Sequence, residues 1–82
     1  MTKKTNEQIK PDRILDCIGL FCPEPVYRTR VEIDKLAKGQ VLEVVADDPA
    51  AEEDIASLVK RLKLQLLAVR REGDGVHLLI KK

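Results

Sequence analysis

The chain has 82 residues, of which 35% are charged and 2% aromatic, and its formal net charge is +1. This length predicts one domain with a single compact core. The near-neutral charge and the shortage of aromatic side chains exclude a general polyanion-binding surface and a stacking platform, so we expect no stable direct binding of nucleic acid.

Residues 1–12 are predicted to form a flexible N-terminal tail, and residues 13–82 a single domain. The opening sequence MTKKTNEQIK has no apolar stretch after its lysines, which excludes a signal peptide. No run approaches the roughly 18 apolar residues that a membrane helix needs. We therefore expect a cytoplasmic protein without membrane contact, in a compartment that keeps thiols reduced.

The first half of the chain predicts a strand, a helix and a second strand. The segment RILDCI, residues 13–18, is short, apolar and β-branched, as strands are. Apolar residues at spacings of three and four then predict a helix from Pro23 to Lys38, with Gly39 as its stop signal. The segment VLEVVA, residues 41–46, predicts the second strand.

The second half predicts a helix followed by a hairpin. Asp48 is the expected N-cap of the helix, and Pro49 fits its first position. Residues 64–71 and 76–82 are predicted strands joined through EGDG, residues 72–75. The order β-α-β-α-β-β predicts an α/β (α+β) two-layer sandwich, a four-stranded mixed sheet with both helices on one face.

Cys22 stands where an apolar run ends, and Pro23, Glu24 and Pro25 follow it. If Cys22 is the N-cap, Pro23 occupies the first helical position and the Glu24 amide is the expected donor to the sulfur, because Pro25 has no N–H. A helix N-terminus lowers a thiol pKa from about 8.5 into a range of roughly 3.5–7.5, although the charge of Glu24 opposes this. The same residues also allow Cys22 to be a small apolar filler.

The other chemically capable residues each allow two interpretations. Alternation with Leu15 predicts that Cys17 is a buried core thiol, and a resolving thiol for Cys22 is the alternative. Asp16 either braces the loop after the first strand or faces solvent. His77 is expected on the open face of the sheet. The two cysteines and His77 fall short of the four ligands of a structural zinc site, so we predict no metal.

The sequence LDCIGLFCPEPVYRTR, residues 15–30, resembles the signature of the TusA/SirA/YedF family of small sulfur carriers, with their Cys-Pro-x-Pro motif. The matching positions are Leu15, Asp16, Gly19, Leu20, Cys22, Pro23, Pro25 and Val26, followed by the basic residues Arg28 and Arg30. A second block, GQVLEVVADDPAAEEDI, residues 39–55, is similar to the family as well. The resemblance covers roughly residues 13–82. Lys63 replaces the glycine with which the family usually ends its second helix, so the sequence does not decide whether this helix ends in the usual left-handed cap.

The resemblance implies the same β-α-β-α-β-β sandwich and a function in sulfur transfer. It implies that Cys22 accepts persulfide sulfur from a cysteine desulfurase or rhodanese and hands it to an acceptor protein, without a cofactor. Members of the family serve tRNA 2-thiouridine synthesis, molybdenum cofactor assembly or sulfur oxidation. Arg28 and Arg30 would present charge to a partner or to the persulfide, or are simply solvated. The remaining supporting residues are Pro23, Glu24, Pro25 and Asp16.

The main hypothesis is a persulfide relay, in which the protein acts as a sulfur carrier rather than as an enzyme with independent turnover. Two other functions are alternatives to it. One is a small binding or regulatory module, including one that binds RNA, in which Cys22 is incidental; near-neutral charge and missing aromatics weigh against it. The other is a thiol–disulfide redox protein using Cys17 and Cys22. Its C-x4-C spacing differs from the C-x-x-C of thioredoxin-like proteins.

Overall fold

The computed structural model describes residues 10–21 and 23–82. The elements follow in the predicted order: β1 (Arg13–Cys17), α1 (Glu24–Lys35), β2 (Val41–Ala46), α2 (Ala51–Arg61), β3 (Gln65–Glu72) and β4 (Gly75–Lys81). Strand β2 has the predicted bounds, and β1 ends one residue earlier than predicted. Within these residues, no helix combines the length and the apolar character that crossing a membrane requires.

The predicted flexible tail, residues 1–12, lies mostly outside the described residues. Asp12, at its end, is bonded to the first residue of β2. The Asp12 N–H donates to the carbonyl of Val41 at 2.8 Å, and the Val41 N–H donates to Asp12 Oδ2 at 2.8 Å. Attachment to the sheet therefore begins at least one residue before β1.

The four strands form one mixed sheet in the order β1-β2-β4-β3. Strands β1 and β2 are parallel and joined through α1, and β4 is antiparallel to both β2 and β3. Parallel strands bring their carboxyl ends to the same edge of a sheet. At that edge the register of β1 and β2 ends with Cys17 opposite Ala46. The loop that leads toward Cys22 starts there.

The core lies between one face of the sheet and the two helices. Alternate positions of β2 and β4 are buried, as a two-residue period requires: Leu42, Val44 and Ala46 with Val76, Leu78 and Ile80. The helices cover these side chains with their own buried residues: Thr29, Ile33, Ile55, Leu58 and Val59. Each fully buried Val, Leu or Ile stabilises the fold by about 1.5–3 kcal/mol. The predicted two-layer sandwich with both helices on one face is confirmed.

Helix α1 ends at Lys35, earlier than the predicted Lys38. The backbone of Leu36 is extended, with ψ 147°, and its side chain is buried in the core. Gly39, at φ +93°, serves the turn that follows instead of ending the helix. The Nζ of Lys82 donates to two carbonyl oxygens at this helix end, at 2.8 and 3.0 Å, so a cation satisfies the terminal acceptors.

The prediction that Asp48 is the N-cap of the second helix is wrong. Helix α2 begins at Ala51, and its N-cap is Ala50. Asp48 Oδ1 accepts the Ala50 N–H at 3.1 Å, and the Asp48 carbonyl accepts the Ala51 N–H at 2.9 Å. Asp and Asn commonly make this local bond in turns, and here it closes a turn immediately before the helix.

The left-handed cap that the sequence left open is present at the end of α2. Lys63 has φ 62°, and its N–H donates to the Lys60 carbonyl at 3.1 Å. The Leu64 N–H donates to the Val59 carbonyl at 3.0 Å. These two bonds form a Schellman motif, in which glycine is the usual residue at the left-handed position. Lysine therefore occupies a conformation that is costly for a residue with a Cβ.

The predicted hairpin is confirmed, and its turn is tight. Glu72 pairs with Gly75, so Gly73 and Asp74 alone connect β3 and β4. Gly73 has φ +60°, whereas Asp74 has no positive φ. A positive φ at the first central position only is typical of a type II′ turn, which matches the twist of the two strands.

Candidate functional site

Cys22, the predicted reactive residue, lies outside the described residues, but the chain on both sides of it is described. Phe21 is 73% exposed, and Pro23 is exposed as well. Before Phe21 the chain leaves the carboxyl end of β1, and after Pro23 it enters α1. The described neighbours of the motif cysteine thus lie at the surface, between the sheet edge and the start of a helix.

Local hydrogen bonds fix the loop of residues 18–21. Asp16 Oδ1 accepts the N–H of Ile18 at 2.9 Å, and the carbonyl of Cys17 accepts the N–H of Leu20 at 3.1 Å. Gly19 has φ +84°, the left-handed conformation that a turn of this kind places at its third residue. Asp16 is therefore a brace of the loop, one of its two predicted roles, while its residue stays exposed.

Asp47 makes a further bond to this loop that the sequence interpretation did not include. Its Oδ1 accepts the N–H of Gly19 at 2.9 Å, across 28 positions of sequence. Asp47 directly follows β2, whose last residue lies opposite the last residue of β1. The available signal was an aspartate at the carboxyl end of a strand parallel to β1.

The start of α1 differs by one residue from the prediction. Helix α1 begins at Glu24, and Pro23 rather than Cys22 is its N-cap, with φ −97° and ψ 10°. The Glu24 N–H, which was expected to reach the Cys22 sulfur, donates to the carbonyl of Phe21 at 2.9 Å. The Glu24 N–H is thus already paired with Phe21 where the helix begins, which explains the shift.

The second proline of the motif is part of the core side of α1. Pro25 is buried, and its carbonyl accepts the hydroxyl of Thr29 at 2.7 Å. Thr29 is 0% exposed, so this bond satisfies a hydroxyl that burial would otherwise leave unpaired. The first turn of α1 is thus anchored on its inner side.

The charged residues of α1 near the motif are exposed. Arg28 Nε donates to Glu24 Oε1 at 3.2 Å, a spacing of four residues along the helix. Exposed pairs of this kind stabilise a protein by about 0–1 kcal/mol. The positive charge of Arg28 also partly balances the negative charge of Glu24. Arg30 is exposed as well.

Cys17 is 0% exposed and belongs to the core, as its alternation with Leu15 predicted. Burial raises the pKa of the Cys17 thiol, while the Arg28 guanidinium lowers it and the Asp16 carboxylate raises it. A buried, protonated thiol is a poor nucleophile. The role of resolving thiol stays a prediction, and this geometry does not favour it.

His77 lies on the sheet face opposite the helices, as predicted. Its Nδ1 is hydrogen-bonded to Glu43 Oε2, and its Nε2 is 3.5 Å from Glu72 Oε1. Neither partner belongs to the loop of residues 18–21. Over residues 10–21 and 23–82, no three His, Cys, Asp or Glu side chains are grouped so that they could hold a metal ion.

Known proteins resemble this chain over most of its length. The family model described as "Sulfurtransferase TusA" matches residues 13–82. A protein of Archaeoglobus fulgidus named "Putative sulfur carrier protein" is 50% identical over 62 residues, covering 76% of this chain and 80% of that protein. The sulfur carrier protein TusA of Allochromatium vinosum is 38% identical over 71 residues, covering 87% and 93%. The crystal structure of a SirA-like protein from Desulfitobacterium hafniense shares the fold, with a TM-score of 0.76 and 20% identity, covering 84% of this chain and 95% of that one.

Proposed function

The chain belongs to the TusA family of sulfur carriers, and we propose that it carries sulfur as a persulfide on Cys22. The observation that supports this most directly is the environment of the CPEP motif. The residues on either side of Cys22 are exposed, and a hydrogen-bonded loop and the start of α1 hold the chain before and after it.

Persulfide transfer requires little more than an accessible thiolate. The Cys22 thiolate attacks the outer sulfur of a donor persulfide, a new S–S bond forms, and the donor's thiolate leaves as the old S–S bond breaks. The sulfane sulfur changes carrier with no net oxidation or reduction, so neither a cofactor nor a histidine is needed. Transfer to an acceptor repeats the same exchange in the opposite role.

The start of α1 supports the ionised form of Cys22. The positive end of the helix dipole favours negative charge within the first turn and just before it. Glu24 opposes this by its own charge, but Arg28 pairs with it at 3.2 Å. Pro23 and Pro25 limit the freedom of the chain after the cysteine, because each has a fixed φ.

We propose that the donor is a cysteine desulfurase or a rhodanese and that the acceptor is a second protein of the same pathway. Phe21 is 73% exposed and Tyr27 is 66% exposed, which provides aromatic contacts on both sides of the motif. Arg30 adds exposed positive charge to the same helix. The destinations implied by the family are tRNA thiolation, molybdenum cofactor assembly and sulfur oxidation. The cytoplasm, which keeps thiols reduced, suits this chemistry.

An intact-mass experiment tests the function. The protein is incubated with a cysteine desulfurase and cysteine, and its mass is measured with and without reductant. We expect a gain of one sulfur that reductant removes. Loss of two hydrogens would instead indicate a Cys17–Cys22 disulfide, and an unchanged mass would support a binding module with an incidental cysteine.

Two variants assign the chemistry to one thiol. Cys22→Ser should abolish loading while the protein stays folded, since serine is close to cysteine in size and the residues on both sides of this position are exposed. Cys17→Ala should lower the free energy of unfolding by about 1 kcal/mol, because it removes a small buried side chain, and should load at the wild-type rate. Loading by Cys22→Ser, or its loss in a folded Cys17→Ala variant, would contradict the proposal.

A further inference from the structure

We propose that Asp47 is a positioning residue for sulfur transfer: it ties the loop of residues 18–21 to the end of β2 and thereby sets the place of Cys22. This inference rests on the proposed function of Cys22. Asp47 itself lies directly after β2, far from the motif in sequence, and the bond from its Oδ1 to the Gly19 N–H, 2.9 Å long, is the contact that carries the inference.

The parallel pairing of β1 and β2 brings Asp47 to the loop. The register of these strands ends with Cys17 opposite Ala46, so Ile18 and Asp47 are the first residues beyond it on each side. From this position the Asp47 side chain reaches from the end of β2 to the loop that follows β1. The bond therefore continues the strand pairing by one side-chain contact into the loop.

The Asp47 bond differs in reach from the other described hydrogen bonds of the loop. Those bonds connect Asp16 with Ile18, Cys17 with Leu20, and the carbonyl of Phe21 with the amide of α1's first residue, all two or three positions apart. They give the loop its shape and tie it to the end of β1, and the partly buried Leu20 packs against the core, but none of these bonds reaches the end of β2. A bond across 28 positions does so.

The conformation of Gly19 adjusts the loop to this contact. Gly19 has φ +84°, and a Cβ built on it would meet no atom within 4 Å. The glycine is therefore explained by its backbone conformation and not by crowding. In the turn that this conformation completes, the Gly19 N–H is directed to Asp47 Oδ1, which accepts it at 2.9 Å.

Position matters for this reaction because the attacking sulfur must align with the donor's S–S bond. A misplacement of about 1 Å can slow a reaction on the order of 100-fold. Cys22 is three residues from Gly19 in sequence, so we infer that a shift of the loop changes its position relative to the start of α1. We therefore expect loss of the Asp47 bond to slow sulfur transfer while the core and the helices stay intact.

Two reciprocal substitutions separate the hydrogen bond from the charge. Asp47→Asn removes the charge and keeps a carbonyl oxygen at the same distance from the backbone. Asp47→Glu keeps the charge and moves the acceptor by one methylene. Asp34→Ala, which removes an exposed carboxylate from α1, is the matched control. For each variant we would measure the unfolding midpoint, the exchange rate of the Gly19 amide by NMR, and the rate of sulfur loading from a desulfurase persulfide.

We expect Asp47→Glu to speed exchange of the Gly19 amide and to lower the saturating loading rate about tenfold, with the half-saturating donor concentration unchanged. Asp47→Asn and Asp34→Ala should load within about threefold of wild type. The positioning role would be overturned if Asp47→Glu loads sulfur at the wild-type rate although its Gly19 amide exchanges faster. It would also be overturned if the loading rate of Asp47→Asn falls tenfold although its Gly19 amide exchanges as slowly as in the wild type. Failure of the wild-type protein to load would overturn the proposed function and this inference together.

Discussion

Lys63 occupies a left-handed conformation, φ 62°, that costs a residue with a Cβ about 1–2 kcal/mol. The Schellman bonds around it hold the conformation, so the strain persists in the folded protein. We predict that Lys63→Gly raises the free energy of unfolding by up to about 1 kcal/mol, because glycine relieves the strain but gains chain entropy when unfolded. Urea denaturation measures the change.

A glycine placed one turn earlier provides the control for Lys63. Lys60 is exposed within the last turn of α2, in ordinary helical conformation, so Lys60→Gly should lower the free energy of unfolding by about 1 kcal/mol. A fall in the unfolding midpoint of Lys63→Gly would show that the left-handed backbone is not strained by lysine.

Cys17 makes stability depend on pH at the alkaline end. Burial raises the pKa of its thiol in the folded protein, whereas the unfolded chain ionises near its ordinary value of about 8.5. Between these two pKa values the unfolded chain binds fewer protons than the folded one, so the free energy of unfolding falls as pH rises, by at most about 1.4 kcal/mol per pH unit. The contribution is complete below the unfolded pKa and is lost as pH approaches the folded pKa.

The matched variant for this pH effect is Cys17→Ala. Urea denaturation of both proteins from pH 7 to pH 10 should show that the wild type loses its stability advantage above about pH 8.5. Equal slopes for the two proteins would mean that Cys17 does not carry the effect.

The β3–β4 hairpin contains two glycines whose backbones differ. Gly73 has φ +60°, whereas Gly75 has no positive φ, and a Cβ on Gly75 would meet its nearest atom at an ordinary 3.5 Å. We predict that Gly73→Ala lowers the free energy of unfolding by about 1–2 kcal/mol, because the type II′ turn needs the left-handed backbone. Gly75→Ala should change it by less than about 0.5 kcal/mol. Thermal or urea unfolding of the pair would decide, and equal losses would contradict the turn assignment.

Element order could be predicted from the sequence because strands and helices differ in apolar period, two against 3.6 residues. The helix ends could not. Asp48 followed by proline and Cys22 followed by proline are patterns that occur both at caps and in turns just before a helix. In both cases the helix starts later than predicted, α2 at Ala51 and α1 at Glu24. A local pattern does not distinguish these, because tertiary packing selects between them.

The candidate site was predicted in part for the same reason. The motif itself predicted Cys22 as the reactive residue, and bracing the loop was one of the two roles predicted for Asp16, whose partner lies two residues away. The bond between Asp47 and Gly19 joins residues 28 positions apart, and it exists only because β1 and β2 are parallel in one particular register. Register is a property of the whole sheet, and apolar alternation within each strand does not specify it.

Among the described residues of the whole molecule, three of the six exposed large apolar side chains, Ile18, Phe21 and Tyr27, lie within five positions of Cys22 in sequence. Those on β1, the loop and the early turns of α1 are Ile14, Ile18, Phe21 and Tyr27, and those on β3 are Leu66 and Leu67. A net charge of +1 offers little long-range attraction, so apolar contact is the more effective way to hold a protein partner. Aromatic side chains are frequent energetic anchors of such contacts.

We therefore predict that Phe21→Ala lowers the efficiency of sulfur transfer from a protein donor about tenfold, because the half-saturating donor concentration rises. Truncating an aromatic anchor typically weakens binding by more than about 1 kcal/mol. The rate of Cys22 alkylation by a small reagent should stay unchanged, because Phe21 would contact the partner and not the sulfur. Leu66→Ala, which removes an exposed apolar side chain from β3, is the matched control and should transfer like wild type. An equal loss of transfer in both variants would contradict docking beside the motif, because it would indicate a general effect on the sheet. A parallel loss of Cys22 alkylation in Phe21→Ala would contradict it as well, because it would indicate a direct effect on the thiol.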